Sequence, residues 1–405
     1  MRLVMKRRKC RDQSDKDFFL SRFICMYILL DALNSVLQDV FGVSGTPLTV
    51  VKFAAAALLF LLLLKPLLKF TGSEWTRLLG LELFVLFLYL YSFVDGVPFA
   101  RLTGWAGTSL AVCVPLAVAV SCIEDRSILY SMLVKYSWLV LALLAVNMAG
   151  RAGDLYDMHF SYALLLVMLL HLNELINRGK KLYIVFLLAE LVMLVLYGSR
   201  GALACVVVFL FLKVFTNVES RRRKYFYIFL LVLGSALVYG VLNQGAAIYR
   251  YFLDRGVRSR TLYLFLTGQF TSHDSGRNEL WAAVVGAIRQ RPLAGWGIRG
   301  AISFMQGHPY PHQFFLDMLV SFGLPLGLLL TVLMTWPVLY VFTAEKSVNK
   351  DLLQIFFCSS FVMLMFSSTW FTNDFYYMLL GLLMTRGRLR FRRRSGYVGG
   401  KRNAF

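Results

Sequence analysis

The 405-residue chain predicts an all-α polytopic membrane protein, with about twelve transmembrane helices and one large extracytoplasmic loop. Three observations carry that reading. Hydrophobic residues make up 58% of the chain and its mean hydropathy is +0.64, whereas soluble domains sit nearer about 45–50% apolar. The apolar residues come in runs close to the roughly 20 needed to cross a bilayer. Most of the lysines and arginines fall in short clusters between those runs, on alternate connections.

In order, the predicted spans are Phe18–Val40, Leu48–Leu68, Leu78–Val94, Trp105–Ile123, Ile128–Ala149 and Phe160–Ile176, then Leu182–Leu196, Ala202–Phe215, Tyr225–Leu242 and Gln313–Phe342. The last apolar stretch, Leu352–Thr385, is too long for one span, and Thr372-Asn373-Asp374 divides it in two. The chain then divides into a basic tail (1–17), spans one to nine (18–242), a loop (243–312), spans ten to twelve (313–385) and a second basic tail (386–405). No small-residue cleavage site follows the first run, so it is expected to remain as a signal anchor.

An even span count puts both termini on one side, and charge says which. With the termini inside, the tails and inner connections hold 28 Lys/Arg, whereas the short outer loops hold only Arg101, Arg151 and Arg200. This is the positive-inside asymmetry, and it predicts cytoplasmic termini. The formal net charge of +21 is therefore topological, and nucleic-acid binding is excluded because no soluble module offers a basic face with interleaved aromatics. The six cysteines show neither disulfide-framework nor metal spacing.

The outer segment 243–312 breaks the charge trend with eight arginines and no lysine, and loops beyond about 60 residues translocate regardless of charge. Planar guanidinium groups grip phosphate bidentately where an ammonium cannot. For the Arg250–Arg260 group, contact with lipid headgroups is the competing explanation. Within this segment Leu280, Trp281, Val284, Val285 and Ile288 recur at helical spacing. The helix they predict is capped by Asp274 or Ser275, ended by Pro292 and laid at the outer interface.

Candidate chemistry gathers on that outer face. Gly198-Ser199-Arg200-Gly201 is a tight turn between two spans, in which Ser199 is a natural N-cap and Arg200 sits at a helix start that favours anions. Arg277 repeats the device at the start of the loop helix, so the two arginines suit a diphosphate. A salt bridge from Arg277 to Asp274 or Glu279 is the alternative. Gly295-Trp-Gly-Ile-Arg-Gly300 matches a dinucleotide-binding pattern only formally, since no strand precedes it and no βαβ unit surrounds it. Its glycines are expected to let the loop turn closely.

In His308-Pro-Tyr-Pro-His312-Gln313 the prolines forbid the helix that would make a zinc pair. Pro311 suits the first turn of the next helix, which would place a neutral His312 at the surface as a general base. Arg299, His308 and Asp317 are possible supporting residues. Of the charges inside spans, Lys52, Lys135 and Lys213 are expected to snorkel, while Asp31 and Glu190 remain open.

These residues resemble the O-antigen ligases and related O-antigen polymerases. Four features carry the resemblance: Ser199-Arg200-Gly201, Gly276-Arg277 with Trp281 four residues on, Pro292 before Gly295-x-Gly297, and His312-Gln313 with Gly323 nine residues later. One position departs: Leu326 stands where the ligase pattern expects Gly, Thr or Tyr, and Gly327 comes one place late. The resemblance implies a bacterial inner-membrane glycosyltransferase of GT-C-like fold. It implies a glycan carried on undecaprenyl diphosphate as donor, an acceptor glycan or lipid A-core, and neither metal nor cofactor. By this analogy Arg200 and Arg277 hold the diphosphate, Ser199 supports the turn, and His312 deprotonates the acceptor hydroxyl. The rival class is a transporter or flippase of the same lipid-linked glycan.

Overall fold

A computed structural model of the chain describes residues 2–150, 153–154, 157–197, 199–217, 276–344 and 347–385, with isolated positions between 225 and 264. Among these residues the fold is helical, and the one extended pairing joins Gly153-Asp154 to Val257-Arg258. Seven described helices are long and apolar enough to cross a membrane, and Leu182–Leu196 and Asp374–Met384 are shorter apolar helices. Most of the predicted ninth span, Tyr225–Leu242, lies outside the described residues.

Helices α1 (Arg2–Asp39), α2 (Gly45–Leu67) and α3 (Gly72–Val94) cover the first three predicted spans except Val40 and Leu68. The fourth span is α4 (Phe99–Thr108), a π-helical turn at Ser109–Cys113, and α5 (Val114–Cys122). Then come α6 (Arg126–Gly150), α7 (Met158–Arg178), α8 (Leu182–Tyr197) and α9 (Arg200–Asn217). The first helix starts well before Phe18: residues 12–17 of the basic tail belong to it, and Lys16 and Asp17 are buried.

Polar contacts sort the bundle into two ends. At one end Lys16 pairs with Glu74 at 2.6 Å, and Asp17 accepts the backbone N–H groups of Glu124 and Asp125 at 3.2 and 2.9 Å. Arg126 donates to the Leu382 carbonyl at 2.9 Å and to Thr385. Asp17 of α1 and Thr385, the last described residue, therefore meet at the same inter-helix turn. Elsewhere the helices approach through small residues, which substitute close van der Waals packing for a hydrophobic drive that lipid does not supply. A Cβ on Gly381 would lie 2.2 Å from the Ala117 carbonyl oxygen.

Two charges inside the bundle are paired. Lys213 is fully buried and bonded to Asp351 at 2.5 Å, so it does not snorkel as its position near a span end suggests. Glu190 meets His171 at 2.5 Å with both side chains sealed, and His171 also contacts Ser137 at 3.0 Å. Lys52 and Lys135 are exposed. Asp31 lies within electrostatic reach of His159, Lys52 and Asp374.

The loop helix α10 spans Arg277–Gln290 and ends before Pro292 as expected. Its cap differs: Gly276, at φ 75°, occupies the N-cap position without a side-chain bond. Its apolar face is Leu280, Val284, Ala287 and Ile288, while Val285 is exposed. This face packs on Val320, Ala301 and Met305, so protein covers a surface that periodicity alone assigns to the membrane interface.

The tenth span, α11 (Phe314–Thr335), is not continuous. Gly323 takes φ 71° and ψ 178° inside it, separating a half-helix, Phe314–Phe322, from a second piece with Pro325 in its first turn. A 3-10 turn (Trp336–Leu339) and α12 (Tyr340–Thr343) complete it. The final stretch does divide: α13 (Val348–Phe356) runs into a π turn at Phe357–Val362, and α14 (Asp374–Met384) follows a break that includes Trp370–Thr372.

Candidate active site

The glycines after Pro292 and the break at Gly323 form one junction. A broken helix leaves carbonyl groups without partners, and here the loop supplies them. Trp296 N–H donates to the Val320 carbonyl at 2.9 Å, Gly297 N–H to that of Ser321 at 2.8 Å, and Leu324 N–H to that of Pro292 at 2.7 Å. Gly295 and Gly297 both adopt positive φ, and Gly297 rests on Ser92 and Val97 at the end of α3. Ile298 N–H donates to Ser92 Oγ at 2.9 Å and Tyr91 OH to the Ala294 carbonyl at 2.6 Å. The expected close turn is thus a seat in the end of the bundle.

This seat positions the histidine segment. Trp281 of α10 donates its indole N–H to the Pro311 carbonyl at 3.0 Å. Gln313 is the N-cap of α11, its side chain accepting from Leu316 N–H at 2.6 Å. The helix therefore begins at Phe314, and Pro311 lies outside its first turn, contrary to the expectation from Pro311-His312. His312 instead holds a left-handed backbone at φ 58°, a conformation that costs an ordinary residue on the order of 1 kcal/mol or more.

His312 is half-buried and its pKa is pushed down to about 4, by burial first, then by the Arg277 and His308 charges. The downward direction is the one expected at a helix start, but its causes here are burial first and then the neighbouring Arg277 and His308. His308 is exposed, 5.9 Å from His312 between ring centres, and Tyr310 lies closer, at 4.5 Å. Arg277 is half-buried, and among the described residues no carboxylate pairs with it. Glu279, one of its two proposed salt-bridge partners, is exposed, and the other, Asp274, lies outside the described residues.

Arg299 also has positive φ, at 61°. It donates to the Arg101 carbonyl at 2.9 Å and lays its guanidinium over the Trp105 ring at 4.9 Å. Asp317, on the half-helix, is buried and accepts from Thr369 Oγ1 at 2.6 Å. Arg291 bonds to Asp95 at 3.4 Å and stacks on Trp296, a structural use of a loop arginine. Arg255 and Arg260 lie outside the described residues.

Ser199 is buried, receives Ala202 N–H on its hydroxyl at 3.3 Å, and so caps α9 as expected. Arg200, half-buried, is the first residue of that helix. Gly201 faces Tyr162 and Phe366, where a Cβ would lie a tight 3.0 and 3.2 Å from them. Phe366 precedes Ser367, which bonds to Met158 at the start of α7, and Thr369, which bonds to Asp317. The segment 366–369 therefore links the Arg200 turn to the half-helix behind His312.

His312, Arg277 and His308 form one electrostatic group, and Arg299 joins it through Trp105 and Tyr310. Arg200 and Ser199 belong to the same end of the bundle through the 366–369 link. Trp105 and Thr369 are the participants that motif reasoning passes over. Trp105 looks like the first residue of an apolar span, and Thr369 like part of a polar break.

The middle of the chain matches a known family. Residues 182–331 match the family model described as O-antigen ligase. No curated protein matches the chain.

Proposed function

We propose, from the match of residues 182–331 to the O-antigen ligase family model, that the chain is a membrane enzyme of ligase or polymerase type that carries out the following reaction. A glycan moves from undecaprenyl diphosphate to a sugar hydroxyl on an acceptor, in polymerising or ligating a surface polysaccharide. The site faces the extracytoplasmic side of a bacterial cytoplasmic membrane, and both termini are cytoplasmic. The single observation that carries this reading is the Arg277–His312 juxtaposition, a half-buried guanidinium acting electrostatically on a half-buried imidazole.

The two groups have complementary tasks. Arg277 and Arg200 bind the diphosphate and stabilise the charge that grows on it as the anomeric C–O bond breaks. His312 takes the proton of the attacking hydroxyl, whose oxygen forms the new bond to the anomeric carbon, with inversion. In the free protein burial, and after it the Arg277 charge, depresses His312. A diphosphate bound on Arg277 offsets that charge and raises the proton affinity of the imidazole when the donor is present. The chemistry asks for no metal ion. Asp317 with Thr369, and Arg299 with Trp105, hold the segments on either side.

The transporter alternative needs charges lining a path through the bundle. The Lys213–Asp351 pair, with its ammonium sealed, and the buried His171–Glu190 pair favour the enzyme, since each group is bonded to a neighbour. The deciding experiment supplies purified protein in detergent with lipid-linked repeat units and no membrane gradient. Lengthened or transferred glycan is the expected product. Absence of product with every acceptor, lipid A-core included, would overturn the proposal.

A further inference from the structure

We infer that Trp105 and Tyr310 form the subsite that holds the acceptor sugar ring, which extends the proposed glycosyl transfer and rests on it. Trp105 comes from α4 and lies outside the residues that match the family, whereas Tyr310 lies between two prolines in the histidine segment. Their ring centres are 6.2 Å apart at 48°, and Tyr310 is in turn 4.5 Å from His312.

Three observations carry the assignment. First, position: a base that removes a hydroxyl proton touches the acceptor, so a ring packed on that base borders the acceptor. Second, both rings are held. Pro309 and Pro311 restrict the backbone on either side of Tyr310, and Trp281 anchors the Pro311 carbonyl. Trp105 is held by contacts with Phe371, at 6.3 Å, and the Arg299 guanidinium, at 4.9 Å. Third, both rings remain partly exposed although a polar end of the bundle surrounds them.

A tryptophan serving only as an interface anchor presents its ring to lipid. Trp105 instead contacts Arg299, Phe371 and Tyr310. The faces of a pyranose carry polarised C–H groups, and aromatic rings receive them on their electron-rich surfaces while leaving the hydroxyls free. A sugar stacked here would present an equatorial hydroxyl to His312. Arg299 then acts as a positioning residue, because it orients Trp105.

The test varies the acceptor, using repeat-unit oligosaccharide released from the host's own surface polysaccharide, at fixed lipid-linked donor. In Trp105→Ala and Tyr310→Ala the acceptor KM rises about tenfold, and the donor KM moves less than twofold. Trp105→Phe, which keeps a ring and the packing on Phe371, recovers most of the acceptor KM. An unchanged acceptor KM in both alanine variants, or an equal rise in both KM values, overturns the assignment. Saturation-transfer NMR with the same oligosaccharide separates this outcome from failure of the transfer reading. Saturable binding that disappears in the two variants, in a protein that transfers nothing, would leave the sugar subsite standing and sink the transferase. No saturable binding to the wild type, or equal binding to all three proteins, would sink the subsite.

Discussion

Gly295 and Gly323 touch backbone to backbone. A Cβ on Gly295 would stand 2.5 Å from the Gly323 nitrogen, and one on Gly323 would stand 2.3 Å from the Leu293 carbonyl oxygen. Both residues also require positive φ, so alanine at either meets a steric and a conformational penalty together. Gly295→Ala or Gly323→Ala should lower the thermal midpoint in detergent and abolish transfer, because the seat that carries His312 is displaced. Gly286→Ala is the control: its Cβ meets nothing within 4 Å, and helix propensity favours it by up to about 1 kcal/mol. Equal thermal midpoints for all three variants would show that the junction is not structural.

The pH profile follows from His312. A general base works when neutral, and this imidazole is held at about 4 in the free protein. The acid limb of kcat/KM, which reports the free enzyme, should therefore fall near pH 4 and not near the ordinary 6.5. Arg277→Gln removes a depressing charge, so its limb should move upward, though not all the way, since burial remains the larger cause. A wild-type limb near 6.5, or an identical limb in the variant, would contradict the pairing.

Arg277 is proposed to act on charge that develops in the transition state. Its removal as Arg277→Ala should cost about 10²–10³ in kcat. Arg277→Lys keeps the charge but loses the two-pronged grip on phosphate, so single-turnover measurements should find it between the alanine variant and the wild type. His312→Ala should lose turnover while still inserting and folding. Full activity in that protein would remove the base.

The Lys213–Asp351 pair gives an asymmetric prediction. Lys213 is sealed, whereas Asp351 is 16% exposed and also receives Asn177 at 2.9 Å. Asp351→Ala strands a buried ammonium and should cost about 3–5 kcal/mol. Lys213→Met leaves a carboxylate with another donor and should cost clearly less. Chemical denaturation in mild detergent would compare them, and equal losses would mean that the burial asymmetry has no energetic weight.

The sequence by itself determined most of the helix pattern, because a span must be both long and apolar and its flanking charges mark the turns. The Ser199 cap, the end of the loop helix before Pro292 and the division of the last apolar stretch were legible for the same reason: each depends on residues adjacent in the chain. Hydropathy could not see the break at Gly323, since glycine and its neighbours stay apolar whether or not the backbone turns. Only the tertiary structure decided that Lys213 finds Asp351, that the loop helix packs on protein, and that Pro292–Gly297 closes the broken end of α11. It alone set Arg277 beside His312 and Trp105 beside Tyr310. These are contacts between residues far apart in sequence, and a helical or charge pattern carries no information about which distant partner a side chain will meet.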